Sequence, residues 1–363
     1  MRNTRGLPPA APDMADARQL AAAGAANRES ALPIAVLVER EGLGDVLLKL
    51  PLLRAIARGF PNRPIWWIST HQTDMAGPLR QFMPAQLTVV KEHAGLGKPL
   101  REAVRKLREY PAFAHIFDTR SRIADVWLAR RILAHEKFFC CLPGYLLSSG
   151  RPPGRFTRPR HIGERALSLA QAALGAQADA SGELEATPAA RQAAQAVLPE
   201  MRPYVGLGIG SREARKNWPV TKFAELARGL SRQGAAPVLL LGPREIERAE
   251  EIRAAVPAFA SVDLTRSAGS GSFDFTIAVT KRLAVTVAND SGTGHLFGAA
   301  GCPIVSLFGP TDPRRWAPFA PLRKTLWARE FGGDTMERIP PEAVMGAVEE
   351  ILARTGCSAA QSR

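Results

Sequence analysis

A polar loop held between two apolar runs constrains this chain more than any other stretch. Residues 283–288 read as an apolar strand that runs into Asn289-Asp290-Ser291-Gly292-Thr293-Gly294. The pattern predicts a small-residue helix starting near His295, then a second apolar strand over 303–308 that ends in Gly309-Pro310-Thr311-Asp312-Pro313. Strand, tight loop, helix and strand form a βαβ unit. Its two loops fall at the carboxyl ends of parallel strands, where open α/β sheets bind ligands. Ser291, Gly292, Thr293 and Gly294 offer small side chains and free N–H groups at a helix N-terminus, an arrangement suited to a diphosphate. Asp290 and Ser291 could equally do no more than cap the helix. Thr311 and Asp312, converging from the neighbouring strand, shift the balance towards phosphate.

The 363 residues are enough for two domains of ordinary size. The first opens with a strand over 34–39, and Gly42-Leu43-Gly44-Asp45 turns it into a helix over 46–60. This GxG begins like a dinucleotide fingerprint, but Leu47 stands where the third glycine would be. Asp45 is either an N-cap or a functional acid, and Pro51 is expected to bend or loosen the helix. Strands over 65–69, 87–90 and 114–118 alternate with a helix over 99–110 and one carrying Arg120, Arg122, Arg130 and Arg131. The alternation predicts a doubly wound parallel sheet over residues 32–174. Residues 175–200 read as a turn-rich linker with a short helix over 189–198, and residues 201–363 as a second α/β domain. That domain holds a strand over 204–209, the basic loop Gly210-Ser211-Arg212-Glu213-Ala214-Arg215-Lys216-Asn217-Trp218-Pro219, and a helix over 221–233. A strand over 237–241 closed by Gly242-Pro243-Arg244-Glu245, the βαβ unit, and a final helix over 341–354 complete it. Two such halves leave a cleft for a ligand. Residues 1–31 read as a mobile Ala-rich tail with one short helix near 15–23.

Composition narrows the function classes. With 46% hydrophobic and 23% charged residues the chain reads as a soluble globular protein. No run reaches the roughly 18 apolar residues of a membrane span, and the N-terminal residues lack a secretory apolar core. Cys140, Cys141, Cys302 and Cys357 show no metal-ligand spacing and fit a reduced compartment, so the cytoplasm is expected. A net charge of +14 asks for an acidic partner. Basic residues gather at Arg101, Arg105, Lys106 and Arg108, at Arg130 and Arg131, and at Arg151, Arg155, Arg158 and Arg160. Nucleic acid is disfavoured, for there is no recognition motif and only three tyrosines are present to stack on bases. An anionic membrane surface or a phosphorylated glycolipid fits the charge, as does a general arginine bias on a solvated face.

Four pieces stand in one order: LGDV at 43–46, KNWP at 216–219, LGPRE at 241–245, and NDSGTGH at 289–295 followed by FGPTDP at 308–313. Together they resemble glycosyltransferase family 9, the bacterial lipopolysaccharide heptosyltransferases, over residues 34–354. The resemblance implies a GT-B fold, with two Rossmann-like domains binding acceptor in the first and nucleotide-sugar donor in the second. It implies inverting transfer of a heptose or related sugar, with ADP-heptose as donor and a lipopolysaccharide core or other anionic surface glycan as acceptor. No metal and no other cofactor is implied, and the expected protein is a monomer in the cytoplasm, peripheral at the inner face of the inner membrane. By motif, Asp45 looks like the general base that takes the acceptor proton, with Gly42, Gly44 and Arg120 on the acceptor side. Lys216 looks like the cation that meets the leaving diphosphate, though it could be a solvated lysine of a basic loop. Asp290, Ser291, Gly292, Thr293, Gly294 and His295 match the loop and helix start that hold the diphosphate, and His295 could instead be an ordinary helix residue. Gly210 and Ser211 fall on the same donor side. Glu245 matches an acid that accepts from ribose hydroxyls, or simply starts a helix, and Thr311 and Asp312 look like a loop closing on the donor. Relatives commonly carry a bulkier residue at Gly294, and GSGSFDF at 269–275 replaces a leucine-rich helix start. A sugar-nucleotide epimerase of the same fold, or a non-catalytic sugar-nucleotide-binding relative, is the competing reading. An oxidoreductase is disfavoured by Leu47.

Overall fold

A computed structural model describes residues 32–95, 99–154, 157–199, 202–247 and 249–356. The tail with its expected helix near 15–23, Arg155 and Cys357 lie outside these residues. The first lobe is one sheet of five parallel strands: Ile34–Val38 (β1), Ile65–Ser69 (β2), Leu87–Lys91 (β3), Phe113–Asp118 (β4) and His135–Cys140 (β5). Their order is β3-β2-β1-β4-β5. Every residue of β1 is buried and apolar, as a central parallel strand covered on both faces requires. Helices Leu43–Gly59 (α1), Leu100–Leu107 (α2), Ile123–Ile132 (α3) and Ile162–Leu174 (α4) cover the two faces. The side chains of α1 and α4 join a core that continues into the second lobe, through Phe297 and Ile304. Those of α2 and α3 close a separate core against the outer face of the first sheet.

The second lobe follows helix Pro188–Val197 (α5). In chain order it comprises Tyr204–Gly208 (β6), Val220–Arg232 (α6), Ala236–Leu241 (β7), Pro243–Ile246 (α7), Ala249–Ala255 (α8), Ala260–Asp263 (β8) and Ser272–Thr280 (α9). There follow Val285–Asn289 (β9), Gly292–Ala299 (α10), Ile304–Phe308 (β10), Pro313–Trp316 (α11), Arg323–Trp327 (β11) and Pro341–Thr355 (α12). The six strands are parallel, in the order β11-β10-β9-β6-β7-β8. Two doubly wound parallel sheets facing across a cleft are the GT-B architecture expected above.

The structure corrects several local expectations. Helix α1 begins at Leu43, so Asp45 sits in its first turn and Gly42 is the N-cap. It runs unbroken through Pro51, because the buried Leu47, Leu48, Leu50, Leu52 and Leu53 hold both halves in one core. Packing outweighs the one backbone hydrogen bond that the proline removes. Helix α10 begins at Gly292, with Ser291 as its cap, rather than near His295. Strands β5, β8 and β11 were not expected: β8 has four residues, and β11 is a half-buried edge strand with a polar start, RKTLW. The segment between the lobes is not a free linker. Arg58 donates to the Asp179 carboxylate at 2.9 Å and the Ser181 carbonyl at 2.8 Å. Thr187, the cap of α5, donates its hydroxyl to Asp274 of α9 at 2.6 Å. Each end is thus tied to one lobe. Among the described residues, no helix is long and apolar enough to cross a membrane.

Candidate functional site

The two lobes meet where the helix after β1 faces the helix after β9. This approach is close enough to need glycine: a Cβ on Gly44 would lie 2.8 Å from Cδ2 of His295. Around the contact the cleft divides into two compartments that share Leu43, Ser211, Arg212, Ser291 and Gly292.

The inner compartment, about 330 Å³, is lined from the first lobe by Gly42, Gly44 and Asp45 and from the second by Lys216, Asp290, His295, Thr311 and Trp316. Asp45 lies at the third position of α1, and its Oδ2 accepts from the Gly42 N–H at 3.2 Å. Asp74, from the turn after β2, lines the neighbouring compartment together with Leu43. Just outside the α1 turn, Glu41 and Lys49 form a buried ion pair. Burial raises the Glu41 carboxyl above the ordinary carboxylate range, against the lowering pull of Lys49.

Lys216 comes from the loop after β6. Asn289 holds that loop down, its side chain accepting from the Trp218 N–H at 3.0 Å and donating to the Ile209 carbonyl at 2.8 Å. The Lys216 ammonium lies 2.9 Å from Asp290 Oδ2 and 3.4 Å from Glu213 Oε1. The same Asp290 oxygen accepts the Thr311 hydroxyl at 2.6 Å, while the Asp290 carbonyl accepts from Ser211 at 3.2 Å. One oxygen of Asp290 therefore orients both Lys216 and Thr311.

Helix α10 leaves part of its positive end open. Ser291 Oγ accepts only from the Gly294 N–H, at 3.2 Å. The Gly292 and Thr293 N–H groups stand in the first turn, where a helix supplies no acceptor of its own. His295, one turn in, is buried, and desolvation pushes its imidazole down to about 4, against the raising pull of Asp290 and Asp45. It is neutral near pH 7 and can form hydrogen bonds without carrying charge.

The outer compartment, about 390 Å³, combines an apolar floor of Leu240, Leu264 and Phe273 with Gly210, Ser211, Glu245 and Thr293. Glu245 caps α7 through the Gly242 N–H at 3.1 Å. Its carboxyl group crowds Gly210, where a Cβ would lie 2.2 Å from Glu245 Cδ. An apolar floor with a carboxylate at its edge suits a nucleoside, ring on the floor and ribose hydroxyls at the acid.

Three expected site residues fall elsewhere. Arg120 is buried, with its guanidinium bonded to both Asp118 oxygens at 2.9 and 2.7 Å and to the Asp125 carbonyl, so it does not reach the acceptor side. Asp312 caps α11 and grips Arg314, lining neither compartment. Gly294 turns into the second lobe, with Ala288 and the Asn289 carbonyl where a side chain would go. Conversely, Arg212 lines both compartments, and Asp74, Gly77 and Pro78 bring a first-lobe loop to the outer one. Arg212 sits four residues before Lys216 in the same basic loop, a signal the sequence carried. The turn after β2 carried none. Among the described residues, no group of three or more His, Cys, Asp or Glu side chains is placed to hold a metal ion.

The profile of glycosyltransferase family 9 (heptosyltransferase) matches residues 155–339, just over half of the chain. Lipooligosaccharide heptosyltransferase 2 of Haemophilus influenzae is 28% identical over 174 residues, which are 44% of this chain and 50% of that protein, so the match spans about half the relative's length. The family 9 glycosyl transferase structure from Veillonella parvula superposes with a TM-score of 0.64 at 21% identity, covering 88% of this chain and 97% of that one. The E. coli ADP-heptose lps heptosyltransferase II structure gives 0.60 at 20% identity, covering 89% and 99%. At such identities the structures speak for the fold alone, while the profile carries the assignment: the chain belongs to glycosyltransferase family 9.

Proposed function

We propose that this chain is an inverting, metal-independent glycosyltransferase that moves a heptose from ADP-heptose to an anionic lipopolysaccharide core precursor. The observation that carries the reading is the shared inner compartment, with the Asp45 carboxylate from one lobe and the Lys216 ammonium from the other. The acceptor hydroxyl gives its proton to Asp45 as its oxygen bonds to the anomeric carbon from the first-lobe side. The bond from that carbon to the β-phosphate oxygen breaks, its electron pair leaves with ADP, and the configuration inverts. The charge gathered on the diphosphate is opposed by Lys216, Arg212 and the open N–H groups of Gly292 and Thr293. Neutral His295 offers a hydrogen bond to the sugar or phosphate, and Glu245 accepts from the ribose. The solved E. coli relative, described as an ADP-heptose enzyme, supports this donor.

The test is incubation of the purified protein with ADP-heptose and a heptose-deficient core acceptor. Release of ADP with a glycolipid of inverted anomeric configuration is expected. Conversion of the donor to an epimer without any acceptor, or donor binding with no product from any core acceptor, would contradict the reading.

A further inference from the structure

Helices α2 and α3 leave a patch on the outer face of the first lobe. Of the six large hydrophobic side chains exposed among the described residues, three gather here, Leu100, Ile123 and Trp127, and Leu146 lies on the adjoining turn. On α3, Ile123, Trp127 and Arg131 stand at i, i+4 and i+8, one exposed stripe. Leu100, Leu128 and Leu147 complete a shallow groove of about 540 Å³. Arg130 ties the turn down by donating to the Leu147 carbonyl at 2.6 Å.

The surroundings are basic. Arg101 and Arg105 on α2, Arg108 just after it, Arg122 just before α3 and Arg131 on α3 are all exposed. The acids Glu102, Glu109 and Asp125 each face a basic partner at 3.4–3.8 Å; Asp125 is half-buried and lines the groove, with its charge opposed by Arg122. A monomeric protein rarely exposes apolar side chains in a group unless something covers them. A tryptophan with aliphatic neighbours on helices that also expose arginines matches an anionic bilayer, with apolar groups at the headgroup level and cations over lipid phosphates.

Its placement fits the site. Strands β1 and β4 are parallel neighbours, so α1 and α3 start from the same edge of the sheet. The Ile123 end of the patch therefore lies at the edge that carries Asp45. We infer that the α2–α3 face, through Leu100, Ile123, Trp127 and Leu146, rests on an anionic lipid bilayer. The inference takes from the transferase reading only the lipid-borne acceptor, and the docking stands on exposure and charge.

The test is co-sedimentation of the full chain with vesicles of equal phosphatidylglycerol and phosphatidylcholine, and with phosphatidylcholine alone. Binding to the mixed vesicles only is expected, and the double variant Ile123→Asp, Trp127→Asp should lose more than about tenfold in affinity. Arg131→Glu should lose less, about fivefold, and lose it further as salt rises. Because these positions are exposed, the thermal midpoint should not move. Absence of binding, unchanged binding by the double variant, or a dimer that the double variant splits would overturn the inference. ADP-induced thermal stabilisation is read in parallel and should survive both changes. Its absence in the unaltered protein would count against the transferase reading and leave the vesicle result standing.

Discussion

Two strand-to-helix turns face each other across the cleft, and they treat the positive end of a helix in opposite ways. At α1, the N-cap N–H already meets a carboxylate of its own first turn, since Gly42 donates to Asp45. At α10, the cap is the Ser291 hydroxyl, which takes the Gly294 N–H alone. The first turn therefore carries its own negative charge, and the second waits for one. An acid that removes a proton belongs at the former, and a diphosphate that gathers charge belongs at the latter. Similar backbone geometry yields a base on one side and an anion cradle on the other because an aspartate stands in one first turn and glycine and threonine in the other.

The contrast can be broken from either side. Asp45→Asn keeps a group able to accept from Gly42 and removes the base. It should lower kcat about a thousandfold while ADP-induced stabilisation persists, read by single-turnover kinetics and thermal shift; if turnover stays within tenfold, another group takes the proton. His295, wedged between the turns, gives a stability signature. Its folded value of about 4 lies below the ordinary 6.5, so between these the unfolded chain binds the extra proton. Stability should therefore fall as pH drops from 6.5 towards 4, by as much as about 3 kcal/mol. Chemical denaturation at several pH values should show the slope in the unaltered protein and its loss in His295→Asn; equal slopes would remove the histidine from the account. Lys216→Ala should lower kcat about a hundredfold with a smaller change in donor affinity, and a loss of donor affinity with kcat unchanged would make it a ground-state contact only. Ser291→Ala should cost about 1 kcal/mol of stability and weaken ADP binding severalfold. A variant that loses stability but binds ADP as before would separate the cap from the cradle.

Much of this was legible in the sequence, for reasons that differ by residue. Continuous apolar runs such as IAVLV announce buried parallel strands, and small polar residues directly after them announce the turns at the ligand edge. Asp45 and Lys216 carried both chemistry and motif, and the fold brings them to one compartment. Arg120 looked available beside its arginine neighbours. Its partner Asp118, two residues back at a buried strand end, encloses it, and only the three-dimensional sheet shows that. The same holds for Asp312, which faces its own helix. Strand β11 escaped because edge strands expose polar side chains. The role of Asp290 was hidden for another reason: its partners come from the loops after two other strands, β6 and β10.

The division of labour between the two turns is tested most directly by a crystal structure with ADP. β-Phosphate oxygens are expected within about 3 Å of the Gly292 and Thr293 N–H groups and of the Lys216 ammonium, with none at Leu43. A diphosphate seated on the α1 turn, or one out of reach of Lys216, would contradict it.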